Sequence, residues 1–296
     1  MEIQNTTIIG AGPAGLTTAL QLKRHGIVPL LLERSAVGGL LHNANWVENY
    51  PGFPDGISGP DLARLFAAHT ECAGIEVTHD EVLCLDFKDG IFHISGKNGT
   101  FHSQVVVVAT GTRPNQFIDF EIPEDVRDNV MYEVYPLIGA ADKQIAIVGA
   151  GDAAFDYALN LASGNKVTIF NRGSELKCLP LLWERSQEQK NISYRENVQI
   201  DRIERGESKI IKLTCRNPSQ VMHVECDYLI GAIGRVPQQD FISEHVQGTA
   251  QELEKKGLLY FVGDIRHGIF RQTAIAVGDG IQTAMTIHKK QKGRTP

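Results

Sequence analysis

Two stretches of this chain are built to one plan, and that plan restricts the architecture more than any other feature. TTIIGAGPAGLTTALQLKRHG opens as a short β-favouring run, turns at Gly10-x-Gly12-x-x-Gly15, and continues with Leu16, Ala19, Leu20 and Leu22 at helical spacing. KQIAIVGAGDAAFDYALNLASGNKVTIFNRGSEL repeats the order, with a strand at 145–148 and the turn Gly149-x-Gly151-x-x-Ala154. A strand that reverses straight into a helix and is followed by another strand calls for a parallel sheet with helices on its faces. In each turn the first glycine permits the tight reversal and the second lets backbone approach a pyrophosphate. The third small residue, Gly15 or Ala154, lets helix and strand pack closely. Pro13 and Ala14 in one turn, and Asp152 and Ala153 in the other, begin helices whose free N–H groups and partial positive charge suit phosphate.

The second strand of each unit separates the ligands. VPLLLE supplies one ending in Glu33, 18 residues after Gly15. A carboxylate there accepts from ribose hydroxyls and repels a 2′-phosphate, which points to FAD or NAD. In the repeat the second strand ends Phe170, Asn171, Arg172, Gly173. An arginine at that tip pairs with a 2′-phosphate, so this site leans to NADP, with Asn171 and Arg172 as its candidate contacts. Two such sites in 296 residues imply two three-layer α/β domains of Rossmann-like dinucleotide-binding type.

The far end decides between FAD and NAD. GLLYFVGDIRHGIFRQTAIAVGDGIQTAMTI reads as a strand to Gly263-Asp264, a loop, and a long helix from near Arg271-Gln272. It resembles the carboxy-terminal flavin motif of flavoproteins with two dinucleotide-binding domains. VGGLLHNANWVENYPGFPDGISGPDL and VVVVATGTRP extend the likeness, through Gly38, Gly39, Val47, Glu48, Asn49, Tyr50, Pro51, Gly52, Gly59, Pro60 and Leu62. Over nearly its whole length the chain resembles low-molecular-weight thioredoxin reductases, of the class II pyridine nucleotide-disulfide oxidoreductases.

That resemblance implies an FAD domain at 1–115 and 238–296, discontinuous because an NAD(P)-binding domain at 116–237 is inserted into it. It implies that Asp264 holds ribityl hydroxyls and that backbone from Arg271 and Gln272 through Thr273 and Ala274 meets the flavin pyrimidine. Gly39 and Leu40 would lie along the flavin and Asn49 would bond to it. Val82 would meet adenine, and Ala109, Thr110 and Gly111 would close over the cofactor. A helix N-terminus at the pyrimidine edge suits reduction, since negative charge then gathers on that edge. DYLIGAIGRVPQ resembles the segment returning the chain to the flavin domain, with Arg235 near the nicotinamide dinucleotide. The family's second strand ends H-R-R; here it ends N-R-G, one arginine of two, which leaves NADH, or no nicotinamide at all, beside NADPH. His42 departs from the usual small or hydroxyl residues of its loop and reads as an exposed histidine, with a proton donor near the flavin as the alternative. A homodimer is also implied.

The chain departs from that family where its chemistry matters most. Cys72, Cys84, Cys178, Cys215 and Cys226 are dispersed, with no C-x-x-C and no metal-ligand spacing. Counted back from Gly149, the family's cysteine pair falls on Tyr132 and Tyr135 of VMYEVYPL. A tyrosine cannot exchange with a disulfide, because that reaction needs a thiolate. The stretch is similar instead to thioredoxin-reductase-like ferredoxin-NADP reductases, which lack the disulfide; Asp152, Ala154, Asp156 and Ala158 fit their pattern. Those enzymes carry a further carboxy-terminal segment with an aromatic ring, which HKKQKGRTP does not provide.

Three functions are compatible with these residues. One is electron transfer between NAD(P)H and an external acceptor, such as ferredoxin, flavodoxin or a small oxidant, through FAD. Another is disulfide reduction with a partner's thiols, or with ferredoxin as donor. The third is an FAD-binding sensor or electron-transfer subunit without turnover. A net charge of −6 without a basic block argues against nucleic acid. No apolar run reaches the roughly 20 residues of a membrane span, and the first residues lack a leader pattern, so a cytoplasmic protein is expected. Lys289, Lys290, Lys292 and Arg294 form one small basic group, read as a solvated tail.

Overall fold

The computed structural model describes residues 3–293. Arg294 of the basic group therefore lies outside the described residues. The chain divides into two compact units, one of Met1–His42, Val47–Arg113 and Val236–Pro296, the other of Asn43–Trp46 and Pro114–Arg235.

The first unit is built on a seven-stranded sheet. Its order is Val77–His79, Leu30–Glu33, Gln4–Ile9, Thr100–Val108, Ile91–Gly96, Val82–Lys88, with Leu259–Phe261 also on Thr100–Val108. The glycine-turn strand Gln4–Ile9 is central and parallel to both neighbours. VVVV at 105–108 is apolar without alternation because both sheet faces are covered. Successive side chains nevertheless part by face. Val105 and Val107 join Ile8, Leu16, Leu22, Ala284 and Ile287 under the helices Pro13–Arg24 and Thr273–Lys292. Val106 and Val108 join Ile9, Leu32, Phe92, Val246 and Leu253 on the other side, under the helix Glu244–Lys256. Each fully buried Val, Leu, Ile or Phe contributes roughly 1.5–3 kcal/mol, so the three layers hold by apolar contact on both faces. Ser243 caps the last-named helix, its Oγ accepting from Val246 N at 3.2 Å, and Gly257 ends it in the left-handed region.

The second unit repeats the plan on a smaller scale. Its five parallel strands run in the order Val130–Met131, Tyr228–Gly231, Gln144–Val148, Lys166–Phe170, Ile192–Arg195. Helices Asp152–Leu161 and Pro180–Glu188 cover one face, where Phe155 of the first packs with Ile145, Ile147 and Ile169 of the sheet. A three-stranded antiparallel sheet, Gln199–Arg205, Ile211–Arg216 and Val221–Cys226, covers the other over Ala146, Phe170 and Leu229. Both units are α/β, and the strands around each glycine turn are parallel as the repeats predict; the first sheet is nevertheless mixed, since Ile91–Gly96 pairs antiparallel with both Thr100–Val108 and Val82–Lys88, and one face of the second is covered by strands rather than helices.

Among the described residues no helix is long and apolar enough to cross a membrane. Lys290 is not simply a solvated tail residue: its Nζ donates to Lys255 O at 3.1 Å and lies 6.0 Å from the centre of the Tyr260 ring.

Candidate functional site

In the first unit the glycine turn is held by contacts that exclude side chains, except at one place. Gly10 has φ +105°, and a methyl group there would run into the backbone of Ala109. One on Gly15 would run into Gly10 O, whereas one on Gly12 would meet nothing within 4 Å. The open position is thus the one at which backbone would face a pyrophosphate. The helix Pro13–Arg24 has Gly12 as N-cap, no side-chain cap and no acidic residue in its first turn, so its N–H groups and partial charge are uncancelled.

Glu33 is buried beside this turn. Its Oε2 accepts from Ala11 N at 2.6 Å and its Oε1 from Ser35 N at 2.9 Å. The carboxylate therefore ties the turn to the second strand, a task the sequence pattern does not reveal. A carboxylate has about four acceptor positions, which leaves capacity for a ribose. Val82 lies two residues beyond Asp80, whose N–H donates to Glu33 O at 3.0 Å. Gly39 has φ +57° and approaches Gly12 so closely that a methyl group would stand 3.2 Å from its Cα, with Leu40 next along the same short turn. His42 is half-buried rather than exposed, its ring Nε2–H donating to Val37 O at 2.9 Å, which corrects the surface placement read from the sequence.

The flavin-motif candidates at the two ends of the chain come together. Asn49 Nδ2 donates to Gln272 Oε1 at 2.7 Å across 223 residues of sequence. Gln272 is the N-cap of Thr273–Lys292, again without a side-chain cap or an acid in the first turn, so Thr273 and Ala274 present free N–H groups beside Arg271. Asp264 sits on the short turn Gly263–Ile265, and Asp279 Oδ2 secures that turn by accepting from Gly263 N at 3.0 Å and His267 Nε2 at 2.5 Å. Ala109 N donates to Ile9 O at 2.8 Å. Thr110 Oγ1 donates to Gln238 O at 2.6 Å, and Gln238 N donates back to Gly111 O at 3.0 Å.

In the second unit the same distribution recurs. A methyl group on Gly149 would run into Ala232 O, one on Gly151 would meet nothing within 4 Å, and Ala154 is wholly buried. The segment after Arg172 folds back along the turn: Lys177 N donates to Ala150 O at 2.9 Å, and Leu179 N to Asp152 Oδ1 at 2.8 Å. Ala153 and Arg172 are exposed.

Asn171 has a different task from the one its position suggested. It is buried, its amide donates to Glu175 O at 3.0 Å and Tyr194 Oη at 2.9 Å, and its Oδ1 accepts from Gly173 N at 3.1 Å. One donor bond stays in its own loop and the other reaches the neighbouring strand Ile192–Arg195, while Arg172 at the strand tip is exposed.

Arg235 is ion-paired to Glu133, Nη1 to Oε1 at 2.7 Å, an arrangement no spacing rule indicates because 102 residues separate them. Glu133 is the second residue of Tyr-Glu-Val-Tyr. The two tyrosines of that stretch part company. Tyr132 accepts a hydrogen bond from Phe117 N at 3.0 Å and its ring covers Gly231, whereas Tyr135 is 47% exposed. Tyr135 N donates to Asn43 Oδ1 at 2.9 Å. Nearby, Asp156 Oδ2 accepts from Asn45 N at 2.9 Å. Burial pushes the Asp156 carboxyl up to about 6, with the Asn45 hydrogen bond opposing and the Asp152 charge adding.

No disulfide joins any two of the five cysteines, and Cys72 and Cys84 are exposed. All five are free, and burial pushes the thiols of Cys215 up to about 11, Cys226 up to about 12, and Cys178 upward. A raised thiol stays protonated and unreactive at neutral pH.

Three comparisons place this geometry among known proteins. The pyridine nucleotide-disulphide oxidoreductase family model matches residues 4–280. A thioredoxin reductase of Streptomyces clavuligerus is 31% identical over 299 residues, covering 96% of this chain and 92% of that one. A ferredoxin–NADP reductase of Ignicoccus hospitalis is 34% identical over 182 residues, 59% of this chain and 58% of its own. The crystal structure of Lactococcus lactis thioredoxin reductase in its FR conformation matches 98% of this chain and 99% of its own, with a TM-score of 0.84 at 27% identity.

Proposed function

The chain belongs to the pyridine nucleotide-disulphide oxidoreductase family, and from that premise we propose that it passes electrons between NAD(P)H and an external redox protein or small oxidant directly through FAD, without a redox disulfide of its own. It is a flavin-dependent oxidoreductase resembling both thioredoxin reductases and ferredoxin-NADP reductases.

The observation that carries the proposal is the chemistry of residues 132–135. No two cysteines of the sequence are spaced C-x-x-C, and counting back from Gly149 by the family resemblance puts that pair on Tyr132 and Tyr135 of Tyr-Glu-Val-Tyr. Tyr132 is engaged by a backbone N–H and by packing on Gly231, and neither tyrosine offers sulfur to exchange.

The residues present fit the two ligands. Gly12 and Gly151 leave room where pyrophosphate would approach, and the helices behind them begin without side-chain caps. Gly10, Gly12, Pro13, Ala14, Gly15, Glu33, Gly39 and Leu40 would hold the FAD diphosphate, ribose and ring, with Asn49, Asp264, Gln272 and Thr273 along the ribityl and pyrimidine. Gly149, Gly151, Arg172 and Arg235 would hold the nicotinamide nucleotide. FAD, when bound, supplies a ring that takes a hydride and releases electrons to an acceptor. The protein's part is to hold the flavin ring and, through the N–H groups at the start of Thr273–Lys292, to stabilise negative charge at the pyrimidine edge.

A ferredoxin-like or flavodoxin-like acceptor is the first choice of partner. Disulfide reduction with thiols from a partner is the second reading, favoured by relatives named thioredoxin reductase over 96% of the chain. Anaerobic mixing of the yellow protein with NADPH and with NADH tests the proposal: bleaching of the flavin by at least one is expected, and bleaching by neither would sink it. Thioredoxin reduction in a coupled assay selects the second reading.

A further inference from the structure

Glu133 belongs to no motif of either nucleotide site, and its surroundings give it a part in one; the argument rests on the reading that the second unit binds a nicotinamide nucleotide. The order of its parallel strands reverses at Gln144–Val148. The strand next in sequence, Lys166–Phe170, lies on one side, and Tyr228–Gly231 lies on the other. A dinucleotide straddles such a switch point, with its pyrophosphate on the turn and its nucleosides to either side. Adenosine falls to the side of Arg172, at the tip of Lys166–Phe170. The nicotinamide riboside is left with the tip of Tyr228–Gly231.

Three contacts put Glu133 at that second tip. Ala232 O packs where Gly149 would carry a side chain, so the end of the strand adjoins the phosphate turn. Tyr132, the preceding residue, lays its ring on Gly231. Glu133 itself holds Arg235, three residues past Ala232, at 2.7 Å.

Only one carboxylate oxygen is used in that pair. Glu133 Oε2 is buried and accepts no hydrogen bond among the described residues, although the side chain keeps 29% of its surface open. An anionic oxygen withdrawn from water without a donor is unfavourable, and a carboxylate can only accept. The nicotinamide riboside carries two kinds of donor, ribose hydroxyls and the carboxamide N–H₂. We infer that Glu133 is a recognition residue for this half of the nucleotide, its carboxylate oriented by Arg235 and accepting a hydrogen bond from the riboside or the carboxamide. The terminal torsion of a glutamate is broad, so a rotation of the carboxylate lets its second oxygen meet a ligand donor while the pairing with Arg235 is kept.

Calorimetric titration of the FAD-loaded, oxidised protein with NADP⁺ or NAD⁺, whichever binds tighter, tests this without electron flow. Glu133→Ala is expected to weaken binding about tenfold or more, and Glu133→Gln less, since its amide keeps a neutral acceptor. The matching adenosine half, adenosine 2′,5′-bisphosphate or ADP, should bind wild type and both variants alike, which a merely structural role would not give. The 3-acetylpyridine analogue, which lacks the amide donor, separates the two sources. Weaker binding than the parent nucleotide to wild type but not to Glu133→Ala assigns the carboxamide; equal binding assigns the ribose. Glu133→Ala binding the dinucleotide as tightly as wild type, or losing the adenosine half in step, overturns the inference. Wild type binding neither dinucleotide overturns the two-site reading itself, and this inference with it.

Discussion

Asn49 Nδ2 donates to Gln272 Oε1 at 2.7 Å, joining the V-E-N-Y-P segment to the N-cap of the final long helix. The pair is exposed, so its net worth to folding is small, and two amides with donors and acceptors to spare are suited to a flavin pyrimidine. Asn49→Ala and Gln272→Ala are each expected to weaken FAD binding about tenfold while shifting unfolding of the apoprotein by less than about 0.5 kcal/mol. Reconstitution of apoprotein with FAD, beside denaturant melts, checks both numbers. Destabilisation with unchanged FAD affinity would make the pair a structural staple.

The glycines of each turn should separate by role. Gly12→Ala and Gly151→Ala place a methyl where nothing lies within 4 Å, so both variants should fold with stability within about 1 kcal/mol of wild type. Gly12→Ala is expected to lose FAD. Gly151→Ala is expected to keep FAD and lose nicotinamide nucleotide. Gly15→Ala drives a methyl into Gly10 O and should fail to fold. Absorbance of the purified proteins reads the first contrast and nucleotide titration the second.

Tyr132 and Tyr135 should behave unlike one another. Tyr132→Phe strips the acceptor from Phe117 N and is expected to cost about 1–2 kcal/mol, with Tyr132→Ala costing more by leaving a gap over Gly231. Tyr135→Phe and Tyr135→Ala should be near neutral for stability, because that ring is largely in water. Stopped-flow flavin reduction alongside chemical denaturation distinguishes packing from a part in electron transfer.

Asp156 ties a pH dependence to the second unit. Burial lifts its folded pKa from 3.8 to about 6. Between those values the native state keeps a proton that the unfolded chain releases, so stability falls as pH rises through this window and the cost is fully present above about pH 6. Asp156→Asn removes the charge and keeps an oxygen for Asn45 N. Because the group is only half-buried, the gain expected at pH 8 is about 1–2 kcal/mol, with the slope between pH 4 and 6 flattened. Thermal melts of both proteins across that range read the effect.

The parallel strands around each turn and the phosphate turns themselves were legible because their signals are local. Gly10, Gly12 and Gly15 must stand at fixed spacing, and VVVV at 105–108 reports burial on both faces without reference to distant residues. The joining of Asn49 to Gln272 was reachable only through family resemblance, since neither segment encodes the other. Two features escaped altogether. Arg235 and Glu133 pair across 102 residues, and a lone glutamate between tyrosines carries no periodic or spacing signal. Asn171 occupies the strand tip where a ribose contact is looked for, but the bend after Phe170 turns its amide inward onto Glu175 O and Tyr194 Oη. A side chain's direction at such a bend is set by tertiary contacts.

The direct path from flavin to acceptor is tested by counting electrons. Anaerobic dithionite titration of the FAD-loaded protein, followed by flavin absorbance and by thiol labelling at each point, reports every redox centre in the chain. A flavin acting alone takes up about two electrons per FAD with no change in labelled thiols; a flavin coupled to a disulfide takes up about four and exposes a new pair of thiols. Two electrons and a constant thiol count are expected. Uptake of four, with two cysteines becoming reactive as the flavin bleaches, would contradict the direct path.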